Sequence, residues 1–369
     1  IILGYFCHVK NLLLLVFLIC GLHVFSQDKP VHEIDANVFY GSILLHNKDI
    51  SHLIKGHPTG VILSYNRKTF GANSWESRYN YPDWGFSFAY QDMKSEELGN
   101  NFGVYGHYNF YFLKRNLMLR VGQGIAYNTN PFNLEDNFRN RAYGSHLLSS
   151  TYLMLNYKSK PFWGGFGIQS GIAVIHYSNA SVKSPNTSTN SLTFNVGATY
   201  TFNEEDVPNF VPKVKEKYTE PLKLNFAFRT GFNEGDEVGH GTYPFYIFSA
   251  YVDKVLNRKS RLVLGTELFI SKFLEEEIKY QSIAFPNQAT GDEDYKRAGV
   301  FIGHELKFAR YSAITHAGYY YYYPYDFEGP VYFRLGLKRT FGKHIFGVVS
   351  VKSHGAKAEA LEFSLGYRL

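Results

Sequence analysis

Cysteine is almost missing from this sequence. The chain of 369 residues holds only Cys7 and Cys20, both within its first 20 positions. Everything after them is without disulfides, thiolate nucleophiles and Cys-based metal sites. Methionine and tryptophan are also scarce, at 3 each. No apolar run reaches the roughly 20 residues that a spanning helix requires. The net charge is +6, yet Lys and Arg are dispersed and form no basic helix or stripe. That pattern argues against nucleic acid and leaves solvated strand ends, or attraction to anionic lipid head groups, as readings.

What the chain has in excess is Phe (32), Tyr (30) and Gly (33). Mean hydropathy is nevertheless only −0.24. Strands that are apolar on one face and polar on the other give this pairing, because the average conceals the apolar face. At the start of the chain, Lys10-Asn11 precedes an apolar stretch from Leu12 to Leu22, followed by Val24-Phe25-Ser26. This pattern predicts a signal peptide over residues 1–26, cleaved before Gln27. Lipidation of Cys20 is disfavoured by the large residues Phe17-Leu18-Ile19 ahead of it.

From there to Leu369 the periodicity is that of strands. In Gly85–Tyr90 the rings fall on even positions, and in Leu361–Leu369 the apolar residues fall on odd ones. About 16 segments qualify: 33–43, 60–67, 83–92, 102–112, 117–128, 145–158, 164–178, 190–202, 222–232, 243–253, 260–271, 298–309, 312–323, 330–341, 344–352 and 359–369. Short connections follow even-numbered segments, and long polar ones tend to follow odd-numbered ones. Outer-membrane barrels alternate in this way, with short periplasmic turns and longer outer loops. The expectation is all-β: an antiparallel transmembrane β-barrel of about 14–16 strands over residues 27–369, in the outer membrane of a Gram-negative cell. Connections 68–82 and 203–221 are long where short ones are expected. The second reads as a periplasmic excursion or as a divide between two halves of the barrel.

One hairpin, about 164–202, carries the candidate chemistry. Residues i and i+2 of a strand share a face. His176 and Ser178 therefore point the same way as Ile172 and Val174, and Asn190 shares its face with Leu192, Phe194 and Val196. The three polar groups converge on the outer wall, near the outer end. A histidine can deprotonate a neighbouring serine, and a third polar group can orient the imidazole. Spacing alone does not separate this from ordinary strand-end polarity.

His176-Tyr177-Ser178-Asn179, with Pro185-Asn186 following, resembles the active-site hairpin of the PagL-type lipid A 3-O-deacylases, or acyloxyacyl hydrolases. The resemblance spans roughly residues 150–200. It implies a barrel enzyme that cleaves an ester-linked acyl chain, with Ser178 as nucleophile and His176 as base. Asn179 would lie beside the oxyanion hole, with Asn186 and Asn156 as supporting residues. That family places Glu where this chain has Asn190. Asn there is similar to the His/Ser/Asn triad of outer-membrane phospholipase A, so lipid A and phospholipid both stand as substrates. Glu135 or Asp136 could instead supply an acid.

No cofactor is expected for the deacylase reading, whereas the phospholipase reading would bring Ca²⁺. A non-enzymatic porin is the rival class, since sixteen strands could enclose water. The acidic runs Glu275-Glu276-Glu277 and Asp292-Glu293-Asp294 read as solvated loop. Tyr319–Tyr323 reads as interfacial girdle, and Gly235–Gly241 as a loop.

Overall fold

The computed structural model describes residues 30–369 apart from 207, 214–216, 236, 287–289 and 356. The expected signal peptide lies outside the described residues. Sixteen antiparallel strands follow in order: β1 (His32–Ile43), β2 (Thr59–Arg67), β3 (Asp83–Asp92), β4 (Asn100–Phe112), β5 (Leu117–Asn128), β6 (Leu147–Lys158), β7 (Phe166–Ser178), β8 (Thr189–Thr201), β9 (Lys223–Asn233), β10 (Tyr243–Val255), β11 (Ser260–Ser271), β12 (Lys296–Phe308), β13 (Tyr311–Tyr322), β14 (Val331–Phe341), β15 (Ile345–His354) and β16 (Lys357–Arg368). Among the described residues two α-helices interrupt them, α1 (Ser74–Arg78) and α2 (Lys272–Ala284). Among the described residues, no helix is long and apolar enough to cross a membrane.

The expected antiparallel barrel of about 14–16 strands has sixteen, and they close twice rather than once. β1 to β8 form one cylinder and β9 to β16 another. β8 returns to β1 in register from Ile43↔Ser191 to Glu33↔Thr201. β16 returns to β9, with Phe363 opposite Thr230. Segment 202–222 between them is the divide. Pro208, Pro212 and Pro221 interrupt it, and each removes a backbone donor that a continuing ladder would need. β8 therefore satisfies its free edge on β1.

The two unexpectedly long connections pack on each other at the short-turn end. Val211 N–H donates to Phe70 O at 2.8 Å, and the Phe210 ring meets Phe70 and Tyr81. Tyr79 and Lys259 extend this seam to the second barrel, with Tyr79 Oη donating to Lys307 O and the Lys259 ammonium over the Tyr79 ring.

Both cylinders are inverted relative to a soluble core. Their outer faces expose large apolar side chains such as Val38, Phe86, Ile172, Ile302 and Leu365. Their interiors hold charge. In the first, Arg120 binds Asp35, Ser64 and Asn109. In the second, Arg334 bridges Glu267 (2.9 Å) and Glu362 (2.6 Å), while Arg297, Lys352 and His354 converge on Glu359. An eight-stranded barrel has room for little beyond its own side chains. The wide lumen that a single sixteen-stranded cylinder would enclose is replaced by two filled ones. In the Tyr run, Tyr319 and Tyr321 are exposed on the outer face, and Tyr320 is buried inside against Tyr332. The 272–297 connection, expected to be loop throughout, contains α2. Its residues Phe273, Leu274 and Ile278 are buried in a cluster that Phe327 joins.

Two outcomes follow. Protein inserted into planar bilayers passes no stepwise ion current. Arg334→Ala, which removes the guanidinium shared by buried Glu267 and Glu362, destabilises the second barrel by roughly 3–5 kcal/mol in urea unfolding. Stepwise conductance, or an unchanged unfolding midpoint, would contradict the filled interiors.

Candidate active site

β7 and β8 pair with His176 opposite Asn190, and β6 brings Thr151 opposite His176 and Ser149 opposite Ser178. Along β7, Gln169, Ala173, Ile175 and Tyr177 point inward and are buried, while Ile168 and Ile172 are exposed outside. His176 and Ser178 share the outward parity, as does Asn190 on β8. Ser178 is only 5% exposed because loop 179–188 folds over it.

The imidazole Nδ1 of His176 lies 2.8 Å from Asn190 Oδ1. A carbonyl oxygen only accepts, so the ring proton is assigned to Nδ1 and Nε2 keeps its lone pair. Ser178 Oγ donates to Asn186 Oδ1 at 3.1 Å, and the same oxygen accepts the Asn179 N–H at 2.9 Å. The Ala180 N–H donates to Ser178 Oγ at 2.9 Å. Ala180 and Ser181 have φ of 54° and 60°, the left-handed region that side chains other than glycine avoid. Two such residues in succession turn the chain back and aim the Ala180 N–H at the hydroxyl. Strain of this kind persists only where surrounding structure enforces it.

That enforcement comes partly from the loop after β5. Thr187 N–H and Ser188 N–H donate to Arg141 O and Ala142 O, each at 3.1 Å. Gly144 lies so close that a Cβ would sit 2.5 Å from Ser184 O and 2.6 Å from Lys183 O. The 141–144 segment is itself clasped from below, since Asn137 and Asn140 donate to Glu97 O. The Glu97 carboxyl takes no part in this clasp; a hydrogen bond from Lys55 holds it down at about 2.

Of the residues singled out from sequence, the structure joins His176 to Asn190, and Ser178 and Asn179 to Asn186, on the same edge of the β7–β8 hairpin. Asn156 is the exception and is a correction. It lies inside the barrel, fully buried, exchanging hydrogen bonds with Asn195 at 2.8 and 3.0 Å. Its even position on β6 gives it inward parity, opposite to Ser149 and Thr151. Glu135 and Asp136 are exposed on their loop, and the imidazole's Nδ1 partner is Asn190.

A scan against family models matches residues 59–199 to the lipid A 3-O-deacylase (PagL) family and residues 222–369 to the acyloxyacyl hydrolase C-terminal domain. The chain belongs to this deacylase family. The two matched segments divide where the barrels divide. No curated protein matches the sequence. Among solved structures, a triple mutant of Rhodopseudomonas blastica porin is 7% identical, covering 92% of this chain and 100% of its own, with a TM-score of 0.19. Acinetobacter baumannii OccAB3 is 12% identical, covering 92% and 98%, with a TM-score of 0.21.

This deacylase-family site also contains residues that sequence reasoning missed. His46, in the loop after β1, places Nε2 2.9 Å from Thr187 O and Nδ1 3.5 Å from the Asn190 amide nitrogen. Only the β1–β8 closure brings it there. On the outer wall, Gln123 stands opposite Thr151, continuing the row Asn190–His176–Thr151 across four strands. Gln123 binds both Thr151 and Ser149. Exposed Ile125 and Tyr127 lie above it, so this row sits within the apolar band rather than at its edge. The sequence signal for Gln123 and Thr151 is polar side chains at outward parity on β5 and β6, facing His176 and Asn190.

Gly144→Ala should push the 183–184 carbonyls away and loosen the loop. Limited trypsinolysis with mass spectrometry should then show faster cleavage after Lys183 in a still-folded barrel. Cleavage at the wild-type rate would mean that the close approach at Gly144 does not hold the loop.

Proposed function

We propose that this protein is an outer-membrane lipid esterase that hydrolyses an ester-linked acyl chain of lipid A, with Ser178 as nucleophile, His176 as general base and Asn190 orienting the imidazole. The observation that carries the reading is the 2.8 Å contact between His176 Nδ1 and Asn190 Oδ1 on the outward, apolar face of the barrel. An ester held in the outer leaflet would reach that face laterally, without entering either barrel.

The chemistry follows from the proton positions. The Ser178 hydroxyl turns from Asn186 Oδ1 to His176 Nε2 and gives up its proton as Oγ attacks the ester carbonyl. The imidazolium keeps its Nδ1–H on the Asn190 amide, which stabilises the charge less than a carboxylate would. The tetrahedral oxyanion is held by N–H donors of the loop, with those of Asn179 and Ala180 nearest to the nucleophile. Collapse expels the sugar alkoxide, which takes the proton from His176. A water, deprotonated by His176 in turn, attacks the acyl-enzyme; the bond from Ser178 Oγ to the acyl carbon breaks, Oγ recovers the proton from His176, and the fatty acid leaves and ionises in solution. No metal enters this scheme.

Asn190 favours one other reading, a phospholipase using the same three residues, for which Ca²⁺ would be required. Fatty acid released from lipopolysaccharide and from phospholipid vesicles separates the two. Wild type should act on lipopolysaccharide. Ser178→Ala and His176→Ala should each lower kcat roughly a thousandfold or more. Asn190→Ala should lower it by about 10–100-fold, because an unoriented base is still a base. Release from phospholipid alone would transfer the activity to the alternative. Release that survives both Ser178→Ala and His176→Ala would overturn the site.

A further inference from the structure

Residues 187–188 of the site loop are tied to the first barrel, but residues 181–184 are tied to the second. Glu234 follows directly on β9 and is 8% exposed. Its Oε2 accepts the Ser184 N–H at 2.9 Å, and its own N–H donates to Ser181 O at 2.9 Å. Its Oε1 lies 3.4 Å from the Gly241 N–H. Ser181 Oγ donates to Ala358 O on β16 at 2.7 Å and lies 3.4 Å from Asn186 Nδ2. A continuous path therefore runs from the second barrel through Ser181 to the Asn186 amide, and from its Oδ1 to Ser178 Oγ.

We propose that the second barrel is a positioning platform for the site loop, acting through Glu234. The proposal rests on the hydrolytic reading of Ser178. Two features distinguish this contact from simple docking of one barrel on another. At the short-turn end the barrels meet through rings, a Lys–ring contact and a backbone carbonyl. At the site end the join instead uses a mostly buried carboxylate, which is costly to desolvate unless hydrogen-bonded. Its partner across the boundary is a main-chain N–H six residues beyond Ser178.

The second feature is geometric. Ala180 and Ser181 hold left-handed conformations, and the bonds made by Ser181 to the second barrel fix the end of that turn. The turn aims the Ala180 N–H, and Ser181 orients the Asn186 amide. Small misplacements of such groups lower the rate of the chemical step with little effect on how substrate is held. Glu234 touches neither Ser178 nor the ester, so it is a positioning residue.

The test uses full-length Glu234→Ala and Glu234→Gln, with kcat and KM for fatty acid release from lipopolysaccharide normalised to the folded fraction by heat-modifiable gel migration. Glu234→Ala should lower kcat about tenfold or more and leave KM within about twofold. Glu234→Gln retains an acceptor oxygen and should recover to within about threefold of wild type. Hydrogen exchange gives a readout that does not depend on activity, and the amides of residues 179–184 should exchange faster in Glu234→Ala. Unchanged kcat and unchanged exchange would overturn the platform, as would a loss that only follows the folded fraction and is not rescued by Gln. A wild type that releases no fatty acid would sink the hydrolytic reading instead, and the exchange result alone would then decide whether Glu234 orders the loop.

Discussion

Every strand edge must find a partner. In hydrocarbon an unpaired N–H or C=O has no water to turn to, so a sheet that meets lipid must close on itself. This chain meets the requirement twice, with β8 on β1 and β16 on β9. The rest depends on that choice. Closing after eight strands leaves interiors narrow enough for their own side chains to fill, hence the ion pairs of Arg120, Arg334 and Glu359. It also sets β1 beside the site hairpin, so that His46 meets Asn190 and Thr187.

Much of this was legible in the sequence because it is local. A period of two is a property of the strand itself, and the expected segments agree with the observed strands to within a few residues. The same period placed His176, Ser178 and Asn190 on one face, and the tight β7–β8 pairing made them neighbours. What could not be read is long-range. Nothing in β8 says that its free edge belongs to β1 rather than to the next strand. The prolines of 202–222 hinted at the divide, but did not say that each half closes. Asn156 matches the family pattern in residue type, but its parity on β6 sends it indoors to Asn195. The buried cluster of α2 comes from residues on several loops, and no single window of sequence shows it.

The site is unusual in where its polarity lies. Hydrogen-bonding side chains on a lipid-facing wall carry a desolvation cost, yet Gln123, Thr151, His176 and Asn190 form a row within the apolar band. Each is partnered by a neighbour in the row or by the hairpin itself. The loop above them is held in a strained turn by groups from both barrels. On the proposed reading the two cylinders have different tasks: one presents the reactive groups, and the other helps to hold the segment that covers them.

The central claim is that the Ser178 hydroxyl, activated by His176 on the outer wall, is the nucleophile. Its most direct test is labelling of the folded protein in lipid with a fluorophosphonate, followed by peptide mass spectrometry. The account predicts a single adduct, on Ser178, that fails to form when His176 is replaced by Ala. An adduct on another residue, or no adduct in protein that still releases fatty acid, would contradict it.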